Sequence, residues 1–244
     1  MKLFRDFYER FGETWFVTQT NYHQPRTPEP ELMLDAGQAE AYAKADFSTP
    51  HQYFVQLCQN YFGNSLGQGW VLDLGCGPGD VTFRFARAFP ETRTVAVDAS
   101  PAMLQWGIDA LKKDPFISTR IQFMEGYLPE ASIPRHHYAA IISNSLLHHL
   151  PDPFVLWQTL LKYGLKGTQI CIQDLRRPET ELVARQFMEK YAAGEPEVLR
   201  KDFYNSLLAA FTPEEVREQL NSSGLAQLTV EVVSDRHMLI CGTL

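Results

Sequence analysis

Residues 71–82 read VLDLGCGPGDVT, an apolar run closed by Gly75, Gly77 and Gly79 and followed at once by helix-forming residues. A chain gains little from three glycines in one turn unless its backbone must bend sharply or let something come close, because each glycine loses much conformational freedom on folding. A buried strand that ends in such a turn and opens a helix is the first unit of a parallel α/β sheet. Open sheets of this kind bind their ligands at the carboxyl ends of the strands, beside that turn.

The chain beyond residue 69 keeps the same alternation. Short apolar runs predict strands at 70–75, 93–98, 120–125, 138–143 and 168–175, with helices near 80–89, 101–113 and 153–164. The ending LTVEVVSDRHMLICGTL holds two strand-like runs around Ser234-Asp235, which predicts a hairpin and so one antiparallel strand. Residues 176–224 exceed what a crossover needs and carry two or three helices, the last opened by the capping box Thr212-Pro213-Glu214-Glu215. The expected division is an N-terminal helical lid segment over 1–68 and a core over 69–244, with a helical insertion at about 176–224. Within the first segment, Leu3, Phe4, Phe7, Tyr8 and Phe11 form a stripe at helical spacing. The proline-rich NYHQPRTPEPELM reads as a mobile loop, and Thr49-Pro50 as the N-cap and first-turn proline of a helix over 50–62.

Composition narrows the function. A chain of 244 residues can bury one large α/β core, and its net charge of −7 disfavours a nucleic-acid partner, which needs concentrated Lys and Arg. Cys58, Cys76, Cys171 and Cys241 are scattered without a C-x-x-C pair, so neither a disulfide framework nor a metal site is expected. No apolar run approaches the ~18 residues of a membrane span. The start MKLFRDFYERFGE has acids where a secretory leader needs a bare apolar stretch. The expected location is the cytoplasm, with no membrane partner; the oligomeric state is left open.

The glycine turn fits a dinucleotide poorly. Asp80 stands where the dinucleotide fingerprint has its third glycine, and its carboxylate would compete with a pyrophosphate for the helix N-terminus. Asp98 ends the next strand, 23 residues after Gly75, where a carboxylate can accept both hydroxyls of a ribose. Together these features select a nucleoside with an uncharged or cationic tail.

VLDLGCGPGDVT, VAVDASPAML and IISNSLLHHLPDP, in this order over roughly residues 69–175, resemble the first, second and fourth motifs of class I S-adenosylmethionine-dependent methyltransferases. The resemblance implies a Rossmann-like α/β fold: a seven-stranded, mostly parallel sheet with helices on both faces and an antiparallel last strand between the fifth and sixth. It implies S-adenosylmethionine as cofactor and S-adenosylhomocysteine as product; it does not identify the acceptor, which is expected to be small or medium-sized. It also implies roles for single residues. Gly75, Gly77 and Gly79 would let the backbone approach the methionine part, with Asp73 near its ammonium and Asn144 lining the same side. Asp98 would hold the ribose, and Ala99 and Met103 would pack by the adenine. The third motif departs from the family, because MEGYLPE has Tyr127 where an acid commonly reads the adenine amino group. Backbone groups from Gly126 to Leu128 are then expected to hold the adenine, with Tyr127 packing beside it.

The acceptor side is read from position. His148 and His149 follow strand four at the ligand edge, and an imidazole titrates near neutral pH, so His148 is the expected proton acceptor. QDLRRP brings Asp174, Arg176 and Arg177 to that edge, the hairpin brings Arg236 and His237, and Tyr204 lies on an insertion helix that could roof the pocket. His148, Asp174, Arg176, Tyr204 and Arg236 are thus the expected acceptor-site residues, suited to an anionic small molecule. A structural alternative has Asp174 pairing with an arginine to hold the insertion down. Functional alternatives are a methyltransferase acting on protein or RNA and a non-catalytic cofactor-binding subunit. The acidic charge weighs against the first, and the largely intact motifs against the second.

Overall fold

The computed structural model describes residues 24–29, 36–63 and 66–244. The aromatic stripe at Leu3 to Phe11 lies outside the described residues. Seven strands form one sheet: β1 (Trp70–Leu74), β2 (Arg93–Asp98), β3 (Ile121–Glu125), β4 (Tyr138–Asn144), β5 (Gln169–Leu175), β6 (Thr229–Val232) and β7 (His237–Thr243), in the order β3-β2-β1-β4-β5-β7-β6. β7 runs antiparallel to both β5 and β6, and every other neighbouring pair is parallel. The strands, their order and the antiparallel final strand match the sequence reading, with ends shifted by one residue.

Side-chain alternation divides the core between two faces. Leu72 and Leu74 of β1, with Ile170 and Ile172 of β5, pack against α5 (Phe154–Tyr163) and α8 (Pro213–Ser222) through Leu156, Trp157, Val216 and Leu220. Val71 and Cys171 face the other way, onto α2 (Ser48–Phe62) and α3 (Asp80–Ala88) through Phe54, Val55, Val81 and Phe85. On that second face, Leu104 of α4 (Pro101–Leu111) packs with Ala96 of β2. α1 (Ala36–Lys44) lies against α4 and also against α7 (Glu197–Ala209), to which Gln38 Nε2 donates a 2.8 Å bond at Asp202 Oδ2.

Two local expectations change. The N-terminus of α2 is not capped by Thr49: the helix opens at Ser48, whose N–H is met by Asp46 Oδ1 at 2.9 Å. The described part of the proline-rich stretch, 24–29, is tied to the core. Arg26 donates to the carbonyls of Ala209, His148 and Leu150 at 2.6, 3.0 and 2.9 Å, and Thr27 N–H to that of Leu208 at 3.0 Å. A guanidinium has five donors, so one side chain can gather several orphan carbonyls that no local element satisfies.

Of the insertion, α8 is an ordinary crossover helix, opened by the expected capping box at Thr212 and Glu215. The additional part is α6 (Glu181–Tyr191) with α7, which share a separate small core around Leu175, Ala184, Leu207 and Ala210. Arg177, buried, joins this part to the body through the Ala210 carbonyl at 3.0 Å and the Glu215 carboxylate.

Phe85 shows what the sheet-to-helix packing contributes. It is fully buried and stacks on Phe89 at a centroid distance of 4.4 Å. Phe85→Ala should lower stability by about 3–5 kcal/mol, as for other large-to-small changes in a packed core. Urea unfolding should show a lower midpoint at an unchanged slope.

Candidate active site

The carboxyl ends of β1, β2, β4 and β5 open into a cavity of about 680 Å³. The three glycines of the first turn all have positive φ, yet they differ in what a side chain would meet. A Cβ on Gly75 would come within 2.9 Å of the Leu146 side chain, and one on Gly79 within 2.6 Å of Phe123. A Cβ on Gly77 would meet nothing within 4 Å. Gly75 and Gly79 are therefore required by packing, whereas Gly77 presents bare backbone to the cavity. Gly79 does not line the cavity, contrary to its expected place beside a ligand.

Asp98 completes this wall. Its carboxylate accepts from Gly77 N–H at 2.7 Å and Ser100 N–H at 2.8 Å. A carboxylate has about four acceptor sites, so these bonds do not exhaust its capacity. Burial raises its pKa, and the backbone donors at Ser100, Gly77 and Ala99, with His149, oppose that rise. Ala99, Met103, Gly126 and Tyr127 lie along the same side, and Asn144 faces them from the end of β4. Asn144 is held by Gln173, whose Nε2 donates to its Oδ1 at 2.9 Å.

Asp73 is 1 % exposed, on the face of β1 that meets α3. Thr82 Oγ1 donates to it at 2.6 Å, but no cation among the described residues compensates its burial, and its pKa is pushed up to about 7 by desolvation, with Asp98 adding to the rise. Asp80 takes the opposite course. Burial would raise it, but His51 and Arg84, each at 2.8 Å, pull it down to about 2. The carboxylate in the first turn of α3 is thus firmly ionised there.

On the acceptor side the structure separates the expected residues. Register and alternation turn Gln173 into the cavity and Asp174 to the opposite face of β5. There Asp174 accepts from Leu147 N–H and from His148 Nδ1–H, both at 2.7 Å, fixing the short 3₁₀ turn Leu147–His149. Burial disfavours the His148 imidazolium, but Asp174 outweighs it and the pKa rises. His149 stays neutral more readily, lowered by burial and then by His148, whose ring centroid is 4.0 Å away.

Arg176 and Tyr204 do not line the cavity, which corrects their expected role. Arg176 follows the strand, its N–H on the Arg236 carbonyl at 2.9 Å, and Tyr204 packs into the α6–α7 core under Arg185. Phe203, one residue earlier on the helix, faces the cavity in place of Tyr204, as do Tyr191 and Leu199. Arg236 does reach the cavity, paired with Asp235 at 3.1 Å and stacked 3.5 Å from the Tyr191 ring centroid. Tyr42, Tyr191, Phe203 and Gln173 were not singled out from sequence. Only Gln173 carried a signal, its alternation with Asp174.

Residues 71–162 match the family described as methyltransferase domain. A malonyl-[acyl-carrier protein] O-methyltransferase of Priestia megaterium is 34% identical over 106 residues, 43% of this chain and 35% of that protein. A trans-aconitate 2-methyltransferase of an Azoarcus species is 33% identical over 103 residues, 42% of this chain and 38% of that protein. The chain therefore aligns with less than half the length of these curated relatives. A SAM-dependent methyltransferase from Aquifex aeolicus superposes with a TM-score of 0.62 at 15% identity, covering 85% of this chain and 97% of that one, a likeness of fold.

Asp73 supplies a test of the site's electrostatics. Its folded pKa of about 7 lies above its ordinary value of 3.8, so the folded state binds the proton more tightly. Its contribution to stability must then fall as pH rises from about 4 to about 7. Asp73→Asn should flatten that part of the profile, read as a smaller difference in melting temperature between acid and neutral buffer. A wild-type-like slope in the variant would contradict the assignment.

The match over residues 71–162 thus makes this part of the chain similar to a methyltransferase domain, and the sheet that holds the glycine turn and Asp98 shares its fold with a solved SAM-dependent methyltransferase.

Proposed function

We propose that the protein transfers a methyl group from S-adenosylmethionine to a small acceptor. The observation that carries this reading is the pairing of Gly77 and Asp98, a stretch of bare backbone beside a buried carboxylate with spare acceptor sites. Asp98 would accept from the ribose hydroxyls, Met103 and Ala99 would flank the adenine, and Gly126 and Tyr127 would border it. Asp73 and Asn144 would face the methionine end, where an ammonium would restore the ionised form of Asp73. When bound, S-adenosylmethionine supplies an activated methyl group. The chain's own contribution is then alignment and exclusion of water.

His148 is the residue we assign to proton removal from a hydroxyl acceptor. Asp174 occupies its Nδ1, which leaves the other ring nitrogen for the acceptor's proton. A base with a pKa near the working pH is the effective kind. Tyr191, Leu199 and Phe203 give this end an apolar lining, and Arg236 would meet an anionic group on the acceptor. The name of the Priestia relative, an O-methyltransferase, supports oxygen as the methylated atom. The four free, buried cysteines suit a reducing cytoplasm, and no described helix is long and apolar enough to cross a membrane.

The cover is part of the same reading. α1 spans from α4 to α7, and Tyr42 and Phe47 line the cavity. Amides of residues 36–50 should gain protection from hydrogen exchange when S-adenosylhomocysteine binds; an unchanged pattern would remove their role as a lid.

Asp98→Ala should weaken S-adenosylhomocysteine binding by about 1–3 kcal/mol in calorimetry, the cost of losing a buried hydrogen-bonding partner. Gly77→Val should abolish binding while the circular dichroism spectrum stays native, since its side chain would enter open cavity at φ 54°. Turnover of labelled S-adenosylmethionine across a panel of hydroxy and carboxylic acids, with bulk RNA and protein as the other arms, tests the acceptor class. Transfer to the macromolecules alone would overturn a small acceptor.

A further inference from the structure

The histidine turn is gripped from a segment about 120 positions earlier in the chain. Arg26 holds the backbone of the turn through the His148 and Leu150 carbonyls, with its guanidinium 4.0 Å above the Phe211 ring. Three residues on, Glu29 reaches the side chains. Its Oε2 lies 3.0 Å from His149 Nδ1 and accepts from Ser206 Oγ of α7 at 3.1 Å. The Glu29 side chain is 6% exposed. Ligand-type atoms of Glu29, His148 and His149 all lie within 4.8 Å of one another.

Each imidazole of the pair thus has its own carboxylate: Asp174 for His148 and Glu29 for His149. We propose that Glu29 is a positioning residue of the acceptor site, holding the His149 ring in place so that His148, backed by Asp174, is the imidazole that takes the acceptor's proton. This rests on the reading above that His148 removes that proton.

The electrostatics act in the same direction. Two imidazoles at 4.0 Å between centroids do not both carry a proton at little cost, because like charges repel strongly in a buried site. Burial opposes ionisation of Glu29, but the contact with His149 outweighs it and keeps the carboxylate charged. That negative charge adds to Asp174 in raising His148. Among the described residues, the other groups acting on the pair are Arg26 from the same strap, Asp98 from β2 and His237 from the start of β7, with Arg236 beside His237. Ser206 is the polar contact from α7. Among the described residues, Glu29 is the charged group in direct contact with His149. Glu29 thereby couples the N-terminal strap, the roof helix α7 and the histidine turn at a single carboxylate.

The test uses the full chain with S-adenosylhomocysteine present and long-range ¹H–¹⁵N imidazole spectra recorded through a pH titration. In Glu29→Gln the His148 midpoint should fall, because a negative charge that favours its imidazolium is gone, while its Nδ1–H tautomer persists against Asp174. The His149 signals should broaden or split as the ring loses its anchor. Glu29→Asp, which keeps the charge, should leave the His148 midpoint near the wild-type value and also guards against loss of folding in the glutamine variant. A His148 midpoint unchanged in folded Glu29→Gln, or lowered equally by Glu29→Asp, would overturn the proposal. So would a stoichiometric transition metal in elemental analysis that vanishes in Glu29→Gln, since Glu29 would then be a ligand. Calorimetric binding of S-adenosylhomocysteine, read on the same samples, separates these outcomes from failure of the methyltransferase reading itself.

Discussion

The cavity depends on β1 and β4 being direct neighbours. The chain builds β1, β2 and β3 outward in one direction, then returns to place β4 on the other side of β1. The connections leaving those two strands run apart, and the crevice between them is where an open α/β sheet binds ligands. Gly77 and Asp98 form one wall because β1 and β2 pair in parallel with Asp73 opposite Ala96. The histidine turn forms the other because β4 ends beside β5. A slip of one residue in either pairing would turn Asp73 or Asp174 to the wrong face.

Within this frame, alternation gives neighbouring residues opposite tasks. Gln173 enters the cavity and orders Asn144, while Asp174 turns beneath the sheet edge and holds His148. On β1, Leu72 and Leu74 serve the core, while Asp73 meets Thr82 on α3. Buried carboxylates are costly unless donors or cations compensate them. Asp98 has backbone donors at Gly77, Ser100 and Ala99, Asp174 has a backbone and an imidazole donor, and Asp73 has one hydroxyl. Asp73 is accordingly the carboxylate of the three whose pKa is pushed to about 7.

Much of this was legible before folding. The glycine turn, Asp98 and the two-residue period of the strands are local patterns, and strand order followed once those patterns matched a family arrangement. Asp174 was placed at the right edge but not on the right face, although its alternation with Gln173 was there to be read. Arg176 and Tyr204 were expected at the cavity from their positions in the chain; Arg176 instead continues the strand edge against Arg236, and on the helix Phe203, one residue before Tyr204, lines the cavity in its place. The stretch around Arg26 and Glu29 looked like a loose loop because prolines and charged residues suggest one. Nothing nearby in sequence reveals that its side chains satisfy carbonyls and bring a carboxylate against an imidazole far along the chain.

The sequence by itself determined the α/β architecture, the turn that exposes backbone to a ligand and the acid at the end of β2, since each rests on periodicity or on the conformational freedom of glycine. Only the tertiary structure decided which glycine faces the cavity, which carboxylate backs which histidine, and that an N-terminal strap completes the turn. Those outcomes depend on contacts between residues distant in the chain, where packing space and unsatisfied polar groups select partners that no local pattern encodes.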